Sequence, residues 1–312
     1  MILTVTMNPS VDISYPLPKL LIDNVNRVVD VRKTAGGKGL NVTRGIHLAG
    51  YPVLATGIIG GSTGQYITKQ LDSDNIRYDF YTTQYESRNC IAILHEGNQT
   101  EILEAGPELT AKEEEGFWHN YQTLIKQCKV ITISGSLPRG FDIGYYAKMV
   151  EFATKCQIPV LLDTSGNALL TCLKSTNKPF LIKPNKEELS QLINQKIPAN
   201  DINCLKHAIN NSICKDVPIV VVSLGKDGCF VKYHDDFYQV SIPSIAVVNP
   251  VGSGDVTLGG LAISILQNED VETMMKRAMT MGMLNAMEAT TGFINMKNYE
   301  EYFQQVIVEK IN

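Results

Sequence analysis

One short stretch combines the residue types needed to bind an anion and to remove a proton. Residues 249–255 read NPVGSGD, and an apolar pattern typical of a helix follows them. Small residues leave backbone amides uncovered and a helix N-terminus adds the positive end of its dipole, so Gly252, Ser253 and Gly254 are expected to bind an anion. Asp255 is not expected to be a further phosphate ligand, because like charges repel. A carboxylate beside an anion site is typical of a general base that deprotonates a hydroxyl about to attack phosphorus.

The alternative role for Asp255 is a helix N-cap, which is a common position for aspartate. An N-cap alone does not explain the glycines that let a ligand come close to the backbone beside Asp255, so we favour the general base. The neighbouring amides are expected to stabilise the carboxylate and to keep Asp255 ionised at neutral pH.

A second glycine-rich stretch near the start of the chain could also bind a polar ligand. Residues 35–41 read AGGKGLN, in which Lys38 supplies a cation and Asn41 supplies an amide. The stretch is not a Walker A loop, because Gly39 stands where that loop needs serine or threonine. It does not match the dinucleotide fingerprint either, and neither do residues 57–64 or 252–257. These failures disfavour an NAD-dependent dehydrogenase.

The elements that must position these residues form an alternating pattern of short apolar strands and helices. One predicted helix, residues 111–128, places Phe117, Tyr121 and Leu124 on one face. Alternation of this kind predicts right-handed βαβ units and a mostly parallel sheet, with ligands beyond the carboxyl ends of the strands. The predicted strands are residues 2–6, 54–59, 130–134, 160–163, 180–182 and 219–223.

Two segments interrupt this alternation and are predicted to form a small separate sheet. Residues 11–33 contain prolines and two strand-like runs, and residues 88–103 are typical of a hairpin with a turn at 96–98. We interpret them as a lid that excludes water from a phosphoryl donor. The alternative is an extension of the main sheet's edge. The remaining residues, 1–10, 34–87 and 104–312, are assigned to one α/β core.

Composition excludes several classes of protein. The chain has 312 residues, of which 44% are hydrophobic and 19% are charged, and its net charge is −4. These values are typical of a soluble globular protein, and they give no basic surface for nucleic acid or an anionic membrane. No apolar run reaches membrane-spanning length. The seven cysteines form no C-x-x-C pair and the five histidines lack metal-ligand spacing, so we expect reduced thiols, a cytoplasmic location and no structural zinc.

Taken in order along the chain, these motifs resemble the ribokinase/PfkB family of sugar kinases. The similarity rests on Asp12, residues 36–41, residues 183–185 and residues 252–255, and it runs over nearly the whole length. It implies a Rossmann-like three-layer core with a β-sheet lid, ATP as the donor, and Mg²⁺. Within the family the chain is most similar to the tagatose-6-phosphate kinases, with 1-phosphofructokinases close behind. This finer similarity rests on residues 6–12, 34–42, 88–90 and 134–138.

The resemblance implies a sugar-phosphate site. Asp12 would accept hydrogen bonds from sugar hydroxyls, although an Asx turn after residues 8–9 is the alternative. A phosphorylated sugar also needs cations, and arginine binds phosphate well because its planar guanidinium can donate twice. Arg27 is equally well explained as a surface charge on the lid. The residues expected at the sugar phosphate are Asp12, Arg27, Gly37, Lys38, Asn41, Arg88 and Ser136.

The resemblance also implies a nucleotide site. Glu188 would act on Mg²⁺ through water, and the alternative is an ordinary glutamate at a helix N-terminus. Residues 223–228 would form a nucleotide loop, and they are expected to be a hairpin turn in either case. The residues expected at the nucleotide are Lys183, Asn185, Ser223, Gly225, Gly228 and Asn285.

These expectations combine into one activity. The chain would phosphorylate D-tagatose 6-phosphate at C1, as part of lactose and galactose catabolism, and it would form a homodimer through the lid. A 1-phosphofructokinase or 6-phosphofructokinase is the nearer alternative. A nonenzymatic sugar-phosphate sensor is the more remote one, because a sensor has no use for a base at Asp255.

Overall fold

A large, mostly parallel sheet lies at the centre of the fold, as the alternating pattern predicts. The computed structural model describes residues 1–197 and 201–311. The strand order is β14-β13-β12-β11-β10-β9-β8-β1-β4-β5, and all neighbours from β11 to β5 are parallel. Strands β12 to β14 add an antiparallel edge. The strands are β1 (Ile2–Thr6), β4 (Val53–Gly60), β5 (Tyr81–Thr83), β8 (Val130–Ser134), β9 (Val160–Asp163), β10 (Leu181–Ile182), β11 (Ile219–Ser223), β12 (Cys229–Tyr233), β13 (Asp236–Ser241) and β14 (Ile307–Ile311).

Helices cover both faces of this sheet and complete a three-layer core. On one face the apolar side of α3 is fully buried, and burying each large side chain there contributes about 1.5–3 kcal/mol. On the other face α8 and α9 pack against α1 and the sheet. The helices are α1 (Lys38–Leu48), α2 (Gly61–Ser73), α3 (Ala111–Leu124), α4 (Tyr145–Lys155), α5 (Gly166–Lys174), α6 (Lys186–Leu192), α7 (Ile202–Asn210), α8 (Ser253–Gln267), α9 (Val271–Ala286) and α10 (Tyr299–Gln305).

A second, four-stranded sheet is separate from the first, as the two interrupting segments predict. Its strands are β2 (Ser10–Leu17), β3 (Arg32–Gly36), β6 (Arg88–His95) and β7 (Asn98–Leu103), in the order β3-β2-β6-β7. We call it the small sheet. The hairpin between β6 and β7 turns at Glu96 and Gly97, whose φ angles are 50° and 76°. Two positive φ angles in a two-residue loop match the twist of the strands they join.

Some helix bounds differ from the sequence prediction. The helix predicted over residues 111–128 ends at Leu124 and continues as a short 3₁₀ turn. The sequence also predicts a late helix over residues 278–289, which contains Asn285. Helix α9 begins earlier, at Val271, because the Asp270 side chain accepts a hydrogen bond from the Thr273 N–H and caps the helix there. Within the described residues, no helix is long and apolar enough to cross a membrane.

Candidate active site

A cavity of about 790 Å³ lies between the small sheet and the carboxyl ends of the core strands. Its walls include strand ends at Thr6 and Ser134, which is where a parallel α/β sheet is expected to bind ligands. Predicted sugar-site and catalytic residues from distant parts of the sequence meet in its lining. These residues are Asp12, Gly37, Lys38, Asn41, Arg88, Ser136, Gly252 and Asp255.

Asp255 lies in the first turn of α8 and is buried. Its Oδ2 accepts a hydrogen bond of 2.9 Å from the side-chain amide of Asn41. The N-cap of α8 is Gly252, so Asp255 is not the cap. Burial, followed by the nearby charge of Asp163, raises the pKa of Asp255 to about 7, although Asn41 and two lysines oppose the change.

The expectation that Asp255 is fully ionised at neutral pH is therefore wrong. The cost of burying a carboxylate outweighs the hydrogen bond and the nearby cations that favour its charged form. A pKa near 7 is close to the value that lets a group both hold and release a proton under physiological conditions.

The turn at the start of α8, residues 249–254, is where the sequence predicts an anion site, and we call it the anion-binding turn. Gly252 has a left-handed φ of 84°, and a Cβ there would lie 2.5 Å from the methyl carbon of Thr291, so only glycine fits. The Ser253 N–H donates to the Pro250 carbonyl at 3.3 Å and is thus partly engaged. A Cβ on Gly254 would lie 3.2 Å from Lys183 Nζ, so a cation stands beside this turn.

Asp163 joins the two lysines that the sequence assigned to different substrates. It ends β9 and is almost fully buried, with its carboxylate 3.7 Å from Lys38 Nζ and 3.5 Å from Lys183 Nζ. The charge of Asp163 is the largest cause of the raised pKa of Lys38. The sequence indicates Asp163 only as a polar residue at the end of a predicted strand and predicts no role for it. Its signal was an acidic residue at the end of a buried parallel strand.

Asp12 is held in place by its neighbours on the small sheet. The Ser10 hydroxyl donates to Asp12 Oδ1 at 2.7 Å, and a Cβ on Gly36 would collide with the carboxylate at 2.1 Å. Burial raises the pKa of Asp12, against the effects of Ser10 and of nearby cations that include Arg88. The carboxylate therefore has a fixed direction on the wall of the cavity.

The arginines differ from expectation. Arg88 lines the cavity, but its guanidinium also donates to the carbonyl of Asn8 at 3.2 Å and to that of Glu104 at 3.0 Å, so it also ties the small sheet to the core. Arg27 is exposed on the segment between β2 and β3 and does not line the cavity. Arg32 on β3 lines it instead. A phosphate contact by Arg27 stays a prediction.

The start of α6 forms a capping box from two of the predicted nucleotide-site residues. Asn185 Oδ1 accepts from the Glu188 N–H at 2.8 Å, and Glu188 Oε2 accepts from the Asn185 N–H at 2.9 Å. The charge of Glu188 also contributes to the raised pKa of Lys38. The alternative reading of Glu188 as a helix-start glutamate therefore describes a real contact, and a role toward a metal stays a prediction.

The other predicted nucleotide residues have structural explanations of their own. Ser223, Gly225 and Gly228 form the turn between β11 and β12, with positive φ at both glycines. Asn285 is fully buried, and its amide donates to the Phe293 carbonyl at 2.9 Å. A fully buried side chain has no surface for adenine, so this arrangement does not support the predicted contact by Asn285.

A magnesium site made only of protein ligands is not present in the described part of the chain. No three histidine, cysteine, aspartate or glutamate side chains there lie close enough together to hold a metal. Mg²⁺ usually keeps several waters and binds one or two carboxylates together with substrate phosphates. The charges of Asp163 and Glu188 both raise the pKa of Lys38, so both carboxylates lie on the side of the site near this lysine. This donor set fits a Mg²⁺ that nucleotide phosphates and water hold for the most part.

The chain is similar to known proteins over nearly its whole length. Phosphofructokinase-2 from Escherichia coli in complex with potassium has 26% sequence identity and a TM-score of 0.87, over 97% of this chain and 98% of that one. A putative phosphofructokinase from Staphylococcus aureus has 27% identity and a TM-score of 0.81, over 100% and 99%. A possible 1-phosphofructokinase from Thermotoga maritima shares the fold, with a TM-score of 0.87 at 20% identity over the whole of both chains. The model of the pfkB family carbohydrate kinases matches residues 6–297, and the chain belongs to that family.

Proposed function

We propose that this protein transfers the γ-phosphoryl group of ATP to the C1 hydroxyl of D-tagatose 6-phosphate, giving D-tagatose 1,6-bisphosphate and ADP. One observation carries the proposal. A buried carboxylate with a pKa near 7, a second carboxylate held rigidly, and three cationic side chains all line a single cavity. The cations are Arg32, Lys38 and Arg88.

The lining fits a sugar that already carries a phosphate. A neutral sugar needs only carboxylates and amides, and Asp12 and Asn41 supply these. The additional cations are explained by an anionic group on the substrate. Arg88 uses two N–H groups to hold backbone carbonyls, and an arginine has five, so it can still donate to a phosphate. We therefore assign the existing phosphate to the Lys38 and Arg88 side of the cavity.

The reacting hydroxyl then lies at Asp255. The carboxylate accepts the C1 hydroxyl proton as that oxygen forms a bond to the γ-phosphorus of ATP, and the bond between this phosphorus and the ADP oxygen breaks. The amides at Gly252 and Gly254, together with Lys183, stabilise charge on the transferred group, which is the main task in phosphoryl transfer. Mg²⁺, when bound, would neutralise charge on the donor phosphates, with Glu188 acting through water.

Fructose 6-phosphate is the second candidate substrate, because the phosphofructokinase-2 of E. coli is similar over almost the whole chain. The two ketose phosphates differ in the configuration of one hydroxyl. A pocket that makes no hydrogen bond to that hydroxyl separates them poorly. Fructose 1-phosphate, with the charge at the other end, is the third candidate.

The test is the rate of ADP release with Mg-ATP and each of the three ketose phosphates. We expect kcat/KM for tagatose 6-phosphate to exceed that for fructose 6-phosphate by about 10-fold or more, the low end of what one well-placed contact supplies. A preference for fructose 6-phosphate or fructose 1-phosphate would reassign the substrate and keep the mechanism. Binding of all three without ADP release would instead support the sensor.

We also propose that two copies of the chain associate through the small sheet. This sheet and the segment between β2 and β3 expose apolar side chains, with Val29 at 91%, Ile22 at 81% and Ile102 at 54%. Contiguous exposed apolar surface is typical of an interface, and we infer that these side chains contribute to one.

An Ile102→Glu variant is therefore expected to shift the protein from dimer to monomer, because a charge would be buried at the contact. Ile307→Glu is the matched control, since Ile307 is 57% exposed on an edge strand of the large sheet. Light scattering after size-exclusion chromatography measures the mass. A monomeric unmodified protein, or a dimer that Ile102→Glu leaves intact, would contradict the proposed interface.

A further inference from the structure

Arg44 is a buried charged residue that the proposed mechanism does not use. It lies on α1 and is 7% exposed. Burying a charge is costly unless hydrogen bonds compensate for it. Burial lowers the pKa of Arg44, while the charges of Asp74 and Asp12 oppose that change. The guanidinium donates to three oxygens: Ala35 O at 2.6 Å, Thr291 O at 2.9 Å and Asn41 Oδ1 at 3.3 Å.

These three acceptors belong to three different parts of the candidate site. Ala35 is on β3 of the small sheet, directly before the first glycine loop. Thr291 packs against Gly252 in the anion-binding turn, and its hydroxyl accepts from the Asn249 amide at 3.5 Å. Asn41 contacts Asp255. One side chain thus joins the small sheet, the anion-binding turn and the partner of the base.

The contact with Asn41 has a direction that matters for the chemistry. A guanidinium can only donate hydrogen bonds, so the oxygen of the Asn41 amide must face Arg44. The NH₂ group of that amide then faces Asp255, where Oδ2 accepts from it at 2.9 Å. A reversed amide would place its oxygen against Asp255 instead. Because an amide oxygen can only accept, that arrangement favours the protonated form of the carboxyl group.

We propose that Arg44 is a positioning residue that fixes the side-chain amide of Asn41, so that Asp255 stays ready to accept a proton. The same guanidinium holds this arrangement to the small sheet and to the anion-binding turn. The inference rests on the proposed function, because it takes Asp255 as the base. Its test is therefore chosen to be readable without enzymatic activity.

Other charges act on Asp255 and must be kept constant. Asp163 raises its pKa, and Lys38 and Lys183 lower it. Asp12 faces Arg44 and will itself titrate differently when Arg44 is changed. The signal of Asp255 alone must therefore be observed. Selective ¹³C labelling of aspartate carboxyl carbons provides it, with the Asp255→Asn variant identifying the resonance.

The central comparison is between Arg44→Gln and Arg44→Lys. Glutamine can donate or accept, so it no longer fixes the amide, whereas lysine can only donate. We expect Arg44→Gln to raise the pKa of Asp255 by about one unit, the size of one reversed hydrogen bond. Arg44→Lys should stay closer to the unmodified protein. Arg277→Met is the control, because Arg277 is a half-buried arginine that pairs with Glu269 away from the cavity.

A second variant distinguishes an effect of Arg44 through the Asn41 amide from a direct effect of its positive charge on Asp255. In an Asn41→Leu background there is no amide to fix, so Arg44→Gln should cause no further shift in the Asp255 titration. An additive shift would show that Arg44 acts through its charge and would overturn the proposal. A folded Arg44→Gln variant with an unchanged Asp255 titration would also overturn it.

The unmodified protein supplies a measurement that does not depend on any Arg44 variant folding. The side-chain ¹⁵N and ¹H signals of Asn41 should follow the titration of Asp255, because its NH₂ group donates to that carboxylate. Asn41 side-chain signals that do not change as Asp255 titrates would refute the contact. If no ketose phosphate is phosphorylated, the proposed function fails while this titration still decides the role of Arg44. If activity is present, Arg44→Gln should lower kcat and move its acidic limb to higher pH, with little change in KM for ATP.

Discussion

Replacing Asp255 with asparagine is expected to lower kcat by about 10²–10⁴-fold, the usual contribution of a general base. Asparagine keeps nearly the same shape and can still accept the hydrogen bond from Asn41, but it cannot take up a proton. The measurement is steady-state ADP release at saturating substrates. Asp255→Ala should behave similarly. A correctly folded variant with near-normal turnover would rule out Asp255 as the base.

The unmodified protein should show the same group in its pH profile. The carboxylate is the active form, so kcat should rise with pH and level off above about 7, where burial has placed the pKa of Asp255. Below this value the proton on Asp255 blocks the reaction. The residual activity of Asp255→Asn should lack this limb. A limb that persists in the variant would belong to another group.

The Asp255→Asn replacement should also increase the free energy of unfolding, which provides a control for folding. Below about pH 4 the carboxyl group is protonated in both the folded and the unfolded chain, so it has no effect on the pH dependence of stability. As the pH rises toward 7 the unfolded chain loses this proton and the folded protein keeps it, so the free energy of unfolding falls. Asp255→Asn removes this loss and should be more stable by a few kcal/mol (order of magnitude) above pH 7, with no such advantage near pH 4. Urea denaturation at the two pH values measures the difference.

The fold could be predicted closely from the sequence because its signals are local. Strands β1, β8, β9 and β11 begin and end at the predicted residues, since each is a short apolar run between polar or turn-forming residues. The hairpin of the small sheet also has a local signal at Glu96 and Gly97. Helix ends were less predictable. The start of α9 depends on a cap at Asp270, which lies eight residues before residue 278, where the predicted helix begins.

The candidate site could be predicted only in part, because it depends on contacts between distant residues. The motifs identified Asp12, Lys38 and Asp255, which the fold brings to one cavity. The raised pKa of Asp255 could not be predicted, since it follows from burial in the folded chain and from the charge of Asp163 on a distant strand. The buried position of Asn285 likewise follows from the packing of α9.

Asp163 shows what single motifs leave out. It belongs to no motif, and its only signal in the sequence is its position at the end of a predicted strand. Its two ion pairs become visible only in the fold, where β9 ends between two lysines. The pairing is informative because one lysine comes from the glycine loop and the other from the segment after β10. A single carboxylate therefore holds the cations assigned to the two substrates.

Lys38→Met is expected to raise KM for the sugar phosphate by about 10–100-fold with little effect on KM for ATP, and Lys183→Met should do the reverse. A hydrogen bond to a charged group contributes about 1.5–3 kcal/mol, which corresponds to this range. The Lys38 side chain is 44% exposed and lines the cavity, whereas that of Lys183 is 7% exposed and lies beside Gly254 in the anion-binding turn.

The two variants serve as controls for each other. Each leaves Asp163 paired with one remaining lysine, so neither exposes the cost of an unpaired buried carboxylate. Each also removes a cation that lowers the pKa of Asp255, so both should move the acidic limb of kcat to higher pH. Measuring both KM values on the plateau above that limb separates binding from protonation of the base. If both variants raise the same KM, or if neither variant changes either KM, the two lysines do not bind different substrates. The assignment of the sugar phosphate to the Lys38 side of the cavity would then be wrong.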